Sequence, residues 1–359
     1  MTCEVTVLTP EVTRGVGGLA DYALHVADEW GSAIAPTFVT TEPATGAHSS
    51  GVTVRRVGRT AEALRGAVPA NGGRVLLHYS AYGFDSWGYP RWLLHELARW
   101  KQTTGGILVI MFHEIWTFSP VLNKNYLVQQ LHRRDLRNVI SRANAVFTST
   151  ASQADHLRAL GSRSDIGLLP VGSNIAVHER AEEKRAAGLA VLFGLEASRL
   201  RTLEEMQADL QALAHSGIIS RIVTCGGGEN GQTKEREREL LAQLGLSGGF
   251  EQRGLMEERE VSLLLSEASF AISAQNELSL TKSGTFMAYA CHGLNVLSPF
   301  AGAAKPEPLC WLTSPAELLE APSLPELPYR AHKLRDWQQR TASWPHIARQ
   351  LATALRPGD

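Results

Sequence analysis

Short runs of apolar, largely β-branched residues alternate with longer stretches in which apolar residues recur every three or four positions, and this alternation continues through the whole chain. In the first half the runs predict strands over Glu4–Thr9, Thr37–Thr41, Val52–Arg56, Arg74–Tyr79, Ile107–Phe112, Ala145–Ser149 and Ile166–Leu169. The helical spacing predicts Leu19–Trp30, Ala61–Ala67, Pro90–Lys101, Val121–Arg142 and Ser152–Leu160 between them. The second half repeats the pattern, with strands over Ala190–Phe193, Ile219–Cys225, Phe250–Arg253, Phe270–Ser273 and Asn295–Ser298. Its helices are predicted over Arg201–His215, Lys234–Leu244, Glu257–Ala268 and Gly284–His292. Nearly continuous apolar strands, each followed by a helix, belong to parallel sheets covered on both faces.

The pattern weakens once, over the charged stretch His178–Gly188 after Leu169-Pro170-Val171-Gly172. A chain of 359 residues is long enough for two such domains. The expected division is a Rossmann-like domain over 1–172, a second over 189–335, and a helical segment over 336–359 that packs back on the first. Trp344, Ile347, Leu351 and Leu355 fall on one face of that last helix.

Composition narrows the function classes. With 44% hydrophobic and 20% charged residues and a formal net charge of −1, the chain carries no overall electrostatic footprint for nucleic acid. A neutral total still leaves room for a local basic face and a peripheral membrane contact. There is no run of 18 apolar residues and no signal-like N-terminus, so a soluble cytoplasmic protein is expected. Cys3, Cys225, Cys291 and Cys310 are widely spaced and form no CxxC pair, as expected of reduced thiols. No Asp-x-Asp, no metal-ligand spacing and no GxSxG elbow occur, so neither a bound metal nor a serine hydrolase is expected.

Four segments could carry chemistry. Arg14-Gly15-Val16-Gly17-Gly18-Leu19-Ala20 joins the first strand to the first helix, where glycines admit a ligand to the backbone and helix amides attract an anion. It reads as a sugar- or phosphate-facing loop, a plain turn, or a dinucleotide fingerprint with Glu42 as the ribose acid. His113-Glu114 follows the apolar run Ile107–Phe112, at the strand end where ligands of open α/β sheets bind, with a hydrogen-bonded structural histidine as the alternative. Tyr79–Pro90 holds Tyr82, Phe84 and Trp87 among glycines, either a stacking surface for an acceptor or a loop packed on its own domain. Lys282-Ser283-Gly284-Thr285 opens a helix and suits an anion, with helix capping as the alternative.

Together these residues resemble the GT-B glycosyltransferases of the retaining family four, over nearly the whole chain. Gly15-Val16-Gly17-Gly18 looks like that family's N-terminal glycine loop, and His113 matches the histidine that ends a central strand. Leu169–Asn174, Phe193-Gly194, Cys225–Gly228, Arg253–Leu255 and Ala290–Val296 match further turns in order. The resemblance implies two Rossmann-like domains with a ligand cleft between them. It also implies a nucleoside-diphosphate sugar as donor, a hydroxyl acceptor, retention, and no cofactor. His113 and Glu277 would act at the transferred sugar, and Gly15, Gly17 and Gly18 would line it. Arg199, Arg201, Lys282, Ser283, Gly284 and Thr285 would hold the diphosphate, and Tyr82, Phe84 and Trp87 the acceptor. Leu280 and Ala288 stand where the family usually carries a pair of glutamates, with Glu277 as the candidate replacement for the first. That departure keeps a non-catalytic sugar-nucleotide binder in view, beside a nucleotide-sugar epimerase and, least favoured, an NAD-dependent enzyme.

Overall fold

The computed structural model describes residues 3–15, 18–42, 52–115, 124–178, 185–228, 231–322 and 325–356, without the side chains of residues 124, 125 and 127. The chain forms two compact units, Met1–Pro170 with Trp344–Asp359, and Val171–Ser343. The second border therefore follows a helix that spans Leu327–Thr341, whereas the expected border at 335 would cut through it.

The first unit contains β1 (Cys3–Leu8), α1 (Gly18–Trp30), β2 (Ile34–Thr40), β3 (Thr53–Arg56), α2 (Ala61–Arg65), β4 (Arg74–Ser80), α3 (Ala81–Phe84) and α4 (Arg91–Thr104). It continues with β5 (Ile107–Glu114), α5 (Lys124–Ile140), β6 (Ala145–Thr148), α6 (Ala151–Gly161) and β7 (Ile166–Leu168). Among the described residues its seven strands are all parallel, in the order β3-β2-β1-β4-β5-β6-β7. The second unit contains β8 (Ala186–Phe193), α7 (Glu196–Glu205), α8 (Gln207–His215), β9 (Arg221–Cys225), α9 (Gly231–Ala242), β10 (Phe250–Gln252) and α10 (Glu258–Glu267). Then come β11 (Ala268–Ile272), α11 (Gly284–Cys291), β12 (Asn295–Leu297), α12 (Pro315–Glu320) and α13 (Leu327–Thr341). Its five strands among the described residues are also parallel, in the order β10-β9-β8-β11-β12. The last helix, α14 (Trp344–Ala354), belongs to the first unit.

The strands expected from the hydrophobic pattern are present, with ends moved by a few residues, and the α/β class with two parallel sheets is as expected. The apolar run of β5 is buried from Leu108 through Phe112 because helices cover both faces of a parallel sheet. Each such side chain contributes about 1.5–3 kcal/mol on burial. In the second unit α11 is apolar on every side, with Phe286 through Ala290 buried, as a helix at the centre of a core must be. One expected helix, Arg201–His215, is two, broken at Met206. Just before the break the Thr202 hydroxyl donates back to the Ser198 carbonyl at 2.8 Å, a bond that competes with the helix ladder.

Helix α14 is tied to its unit by polar anchors as well as by its apolar face. The Trp30 indole donates to the Ala348 carbonyl at 2.9 Å, and Arg74 Nε donates to the Leu355 carbonyl at 2.9 Å. Trp344 meets Tyr22 edge-on at 5.2 Å and stacks on His25 at 4.6 Å. Among the described residues no helix is long and apolar enough to cross a membrane.

Candidate functional site

Each sheet reverses its strand order once, between β1 and β4 in the first unit and between β8 and β11 in the second. Ligands of open α/β sheets bind beyond the carboxyl ends of strands at such reversals. The segments that follow β1, β4 and β5, and those that follow β8 and β11, are therefore the places to read.

In the first unit the loop after β1 is locked onto the turn after β4. A Cβ on Gly83 would lie 2.6 Å from Pro10, so only glycine allows that approach. Gly15 has φ 77°, a left-handed conformation that favours glycine, and its amide donates to Asp21 Oδ1 at 2.7 Å. Gly18 opens α1 with no such φ, and a Cβ there would meet nothing within 4 Å. Neither packing nor backbone conformation requires glycine at Gly18. Gly17 and Val16 lie outside the described residues, and so does Trp116. Glu42, the candidate ribose acid, is half-buried and ion-paired with Arg59.

His113 owes its position to a bulge. Residues Tyr79 and Ser80 of β4 pair with Phe112 and Glu114 of β5, which leaves His113 as the extra residue between them. A bulge redirects the side chain it carries. Here the His113 ring turns inward, buried, with Nε2 3.0 Å from Nδ1 of His78. Tyr22 meets the His113 ring edge-on at 4.8 Å. Burial pushes the His78 pKa down to about 3, so this partner stays neutral at ordinary pH. The Tyr22 hydroxyl and His78 Nε2 are buried without hydrogen-bond partners among the described residues. Behind them Tyr79 Oη lies 2.6 Å from His132 Nε2, whose pKa burial lowers to about 4. His78 and Tyr22 were not among the residues expected at the site. The only sequence signal for His78 is one imidazole inside an otherwise apolar strand.

The aromatic stretch is ordered rather than open. Ser80 Oγ accepts from the Gly83 amide at 3.4 Å to cap the short helix α3, and Asp85 Oδ1 accepts from the Trp87 amide at 2.9 Å. This turn sends Phe84 inward to 2% exposure, against Trp92, so Phe84 cannot stack on an acceptor as expected. Tyr82 and Trp87 remain outside, at 49% and 82% exposure.

In the second unit the turns after β8, β9 and β10 interlock. The Gly194 amide donates to the Cys225 carbonyl at 3.0 Å, and the Gly226 amide to the Gly254 carbonyl at 2.7 Å. A Cβ on Gly226 would lie 2.0 Å from the Gly194 oxygen. Arg199, expected at the diphosphate, is instead inside this framework. Its guanidinium is fully buried, pairs with Glu237 at 2.8 Å, and donates to the Gly194 carbonyl at 2.7 Å. Arg199 thus braces the turn after β8 and is not presented to a ligand. Arg201 is exposed on α7, with Glu205 3.9 Å away.

The start of α11 is different. Ser283 is its cap, its hydroxyl accepting from the Phe286 amide at 3.1 Å. The amides of Gly284 and Thr285 belong to the first turn, which has no intrahelical carbonyl to bind. A Cβ on Gly284 would meet nothing within 4 Å, and the φ of Gly284 does not demand glycine. Lys282 closes a single 3-10 turn, Leu280–Lys282, just ahead of the cap, and is half-buried. Thr285 reaches toward Gly194, with Oγ1 3.0 Å from where a Cβ there would stand. Thr285 therefore stands beside the turn after β8, and Lys282, Ser283 and Gly284 directly precede it in the chain. Glu277 is exposed in the turn before them. Leu280 and Ala288 are both in the core, so neither position supplies a polar group.

No family model matches the sequence, and no curated protein matches it significantly. Solved structures do match its fold. Sucrose-phosphate synthase from Thermosynechococcus elongatus is 14% identical with a TM-score of 0.62, and 98% of each chain is covered. A glycosyltransferase from Rickettsia africae is 10% identical with a TM-score of 0.66, covering 99% of this chain and 98% of its own. Anabaena HepE, solved with UDP and glucose, is 13% identical with a TM-score of 0.60, covering 98% of this chain and 99% of its own. The fold, two Rossmann-like units in one chain, is that of GT-B glycosyltransferases.

Proposed function

We propose that the protein transfers a glycosyl group from a nucleoside-diphosphate sugar to an acceptor hydroxyl, with retention and without a metal. The observation that carries this reading is the opening of α11. An N-terminus with partial positive charge, a lysine directly before it and a glycine that the fold does not require form a seat for a diphosphate. The diphosphate is the leaving group, and fixed donors aimed at its developing charge lower the barrier. In this reading Lys282 and the amides of Gly284 and Thr285 carry that role, and Arg201 is a mobile contributor at most. Gly15, Gly17, Gly18, His113 and Glu277 serve the sugar in this reading, and Tyr82 and Trp87 the acceptor. Anabaena HepE was solved with UDP and glucose, which makes UDP and UDP-glucose the first ligands to try.

A second reading, a sugar-nucleotide binder without transfer, is favoured by one observation. The two positions of the family's glutamate pair are apolar and buried here, at Leu280 and Ala288. A thermal-shift panel of UDP, GDP, dTDP, ADP, their sugars and NAD(H), with and without EDTA, tests both readings by mass action. The transferase reading expects one nucleoside diphosphate to raise the melting point regardless of EDTA, and its sugar to be consumed when an acceptor is supplied. Lys282→Ala should weaken that nucleotide about ten-fold, the scale of one charge-assisted hydrogen bond. Binding with no turnover over an acceptor library selects the second reading. A response to NAD(H) alone defeats both.

A further inference from the structure

Helices α4 and α5 pack side by side and leave an open groove of about 770 Å³ on the first unit. Its charge is one-sided, since Arg91 and Arg99 from α4 and Arg134 and Arg137 from α5 line it with a single carboxylate, Asp135. Two of these arginines are committed elsewhere. Arg99 pairs with Glu96, and Arg137 Nε donates to the Leu160 carbonyl at 3.0 Å. Arg91 and Arg134 are exposed, and their side chains make no hydrogen bond or ion pair with any described residue. Both line the same groove, one from α4 and the other from α5.

Asp135 makes the groove more selective than a basic patch. One of its oxygens, Oδ2, accepts from the Tyr89 hydroxyl at 2.5 Å and lies 2.7 Å from His95 Nε2. These two partners fix the carboxylate and leave Oδ1 without a partner among the described residues. A fixed carboxylate repels a bare anion but accepts strongly from hydroxyl groups. Arginine forks, by contrast, suit phosphate oxygens in pairs. Beside them stand Gln102 and Asn138, whose Oδ1 accepts from Arg142 and whose amide nitrogen can donate to further hydroxyls, and the half-exposed apolar side chain of Leu131. A ligand that satisfies all of these groups carries an anionic head and a hydroxylated body with an apolar face. The groove's volume lies in the range of small-ligand sites.

We propose that the groove between α4 and α5 binds a small phosphorylated sugar, with Arg91 and Arg134 on the phosphate and Asp135 and Asn138 on the hydroxyls. This inference does not depend on the transferase reading, because the side chains it places on the ligand, Arg91, Arg134, Asp135 and Asn138, lie on α4 and α5, and Tyr89 of the segment after β4 only orients Asp135. Calorimetric titration of the full chain with a hexose 6-phosphate, the free hexose and inorganic phosphate tests it. The hexose phosphate should bind at least about ten-fold more tightly than either part alone, since each part forfeits at least one charge-assisted contact. Arg91→Ala with Arg134→Ala should weaken it by about ten-fold or more, with the melting point unchanged because neither side chain supports the fold. Unaltered affinity in that double variant overturns the proposal. So does inorganic phosphate binding as tightly as the sugar phosphate, displacement of the sugar phosphate by single-stranded nucleic acid at far lower concentration, or no binding at all.

Discussion

The buried pair Arg199–Glu237 gives the sharpest test of how the second unit is built. Both side chains are fully buried, and the arginine also donates to the Gly194 carbonyl. Removing one partner of a buried ion pair costs about 3–5 kcal/mol, because the other charge is left without compensation. Glu237→Leu should therefore destabilise the second unit by that amount. With about 2–4 °C lost per kcal/mol for a domain of this size, the melting point should fall by roughly 6–20 °C. The double variant Arg199→Met with Glu237→Leu removes both charges and keeps the volume apolar, a change that is often neutral or stabilising. It also leaves the Gly194 carbonyl without its guanidinium donor, a loss of about 1–3 kcal/mol. The two contributions nearly cancel, so the double variant should melt well above the single one.

The assay is a thermal melt followed by tryptophan fluorescence, with calorimetric titration of the nucleoside diphosphate identified in the ligand panel. If Arg199 braces the turn after β8 and touches no ligand, the double variant should bind that nucleotide within about three-fold of the unaltered chain, less than one charge-assisted hydrogen bond is worth. A double variant as unstable as Glu237→Leu would refute the account of the buried pair. A stable double variant that has lost the nucleotide would place Arg199 at the diphosphate and refute the bracing role.

Glycine substitutions separate fold from function. Gly18→Ala and Gly284→Ala should leave the melting point unchanged or raised, since alanine reduces unfolded-state entropy by about 0.4–1 kcal/mol at a permissive site, yet weaken ligand binding; a lowered melting point in both would show that the fold needs them. Gly226→Ala should unfold the second unit outright by denaturant titration, because its Cβ would lie 2.0 Å from the Gly194 oxygen. The pH dependence has a definite sign. His78 is held neutral in the folded chain with its pKa near 3, while the unfolded chain protonates it near 6.5, so stability is full above that value and falls with acid. The loss from His78 alone is about 1.4 kcal/mol by about pH 5.5. His132 and His292, both lowered to about 4 by burial, add losses of the same sign. His78→Phe should flatten the urea midpoint against pH by about one proton between roughly pH 7.5 and 5; an unchanged slope would mean that His78 is not held neutral in the fold.

The strands were legible because a parallel strand buried on both faces has to be apolar at almost every position, as in Ile107–Phe112. Helix α13 was not anticipated, because its apolar residues Leu327, Ala331, Leu334 and Trp337 form a thin stripe among charged neighbours. The site was legible only where it rests on local chain chemistry. A serine and glycine at the start of a helix can be read directly, and Ser283 does cap α11. The fate of Arg199 could not be read, because its partner Glu237 is 38 residues away on another helix. His113 could be placed at a strand end, but its inward turn depends on the bulge between β4 and β5, a property of register between two strands. Phe84 and Trp87 look equivalent in sequence, and only the cap at Ser80 and the turn at Asp85 send one inward and the other out.

The glycines sort into two kinds, and the sorting bears on function more than their number does. Gly83 and Gly226 are required because a Cβ would strike Pro10 or the Gly194 oxygen, and Gly15 and Gly194 because their φ angles, 77° and 139°, favour glycine. Gly18 and Gly284 satisfy neither condition, yet each occupies the first position of its helix, where glycine costs stability relative to alanine. One follows β1 and the other follows β11, a strand at the reversal of each sheet. A residue that weakens the fold and is not needed for it is explained most simply by something that approaches the backbone there. In both units that place is a helix N-terminus at the strand ends, where an anion or a sugar hydroxyl would find amides and no side chain in its way.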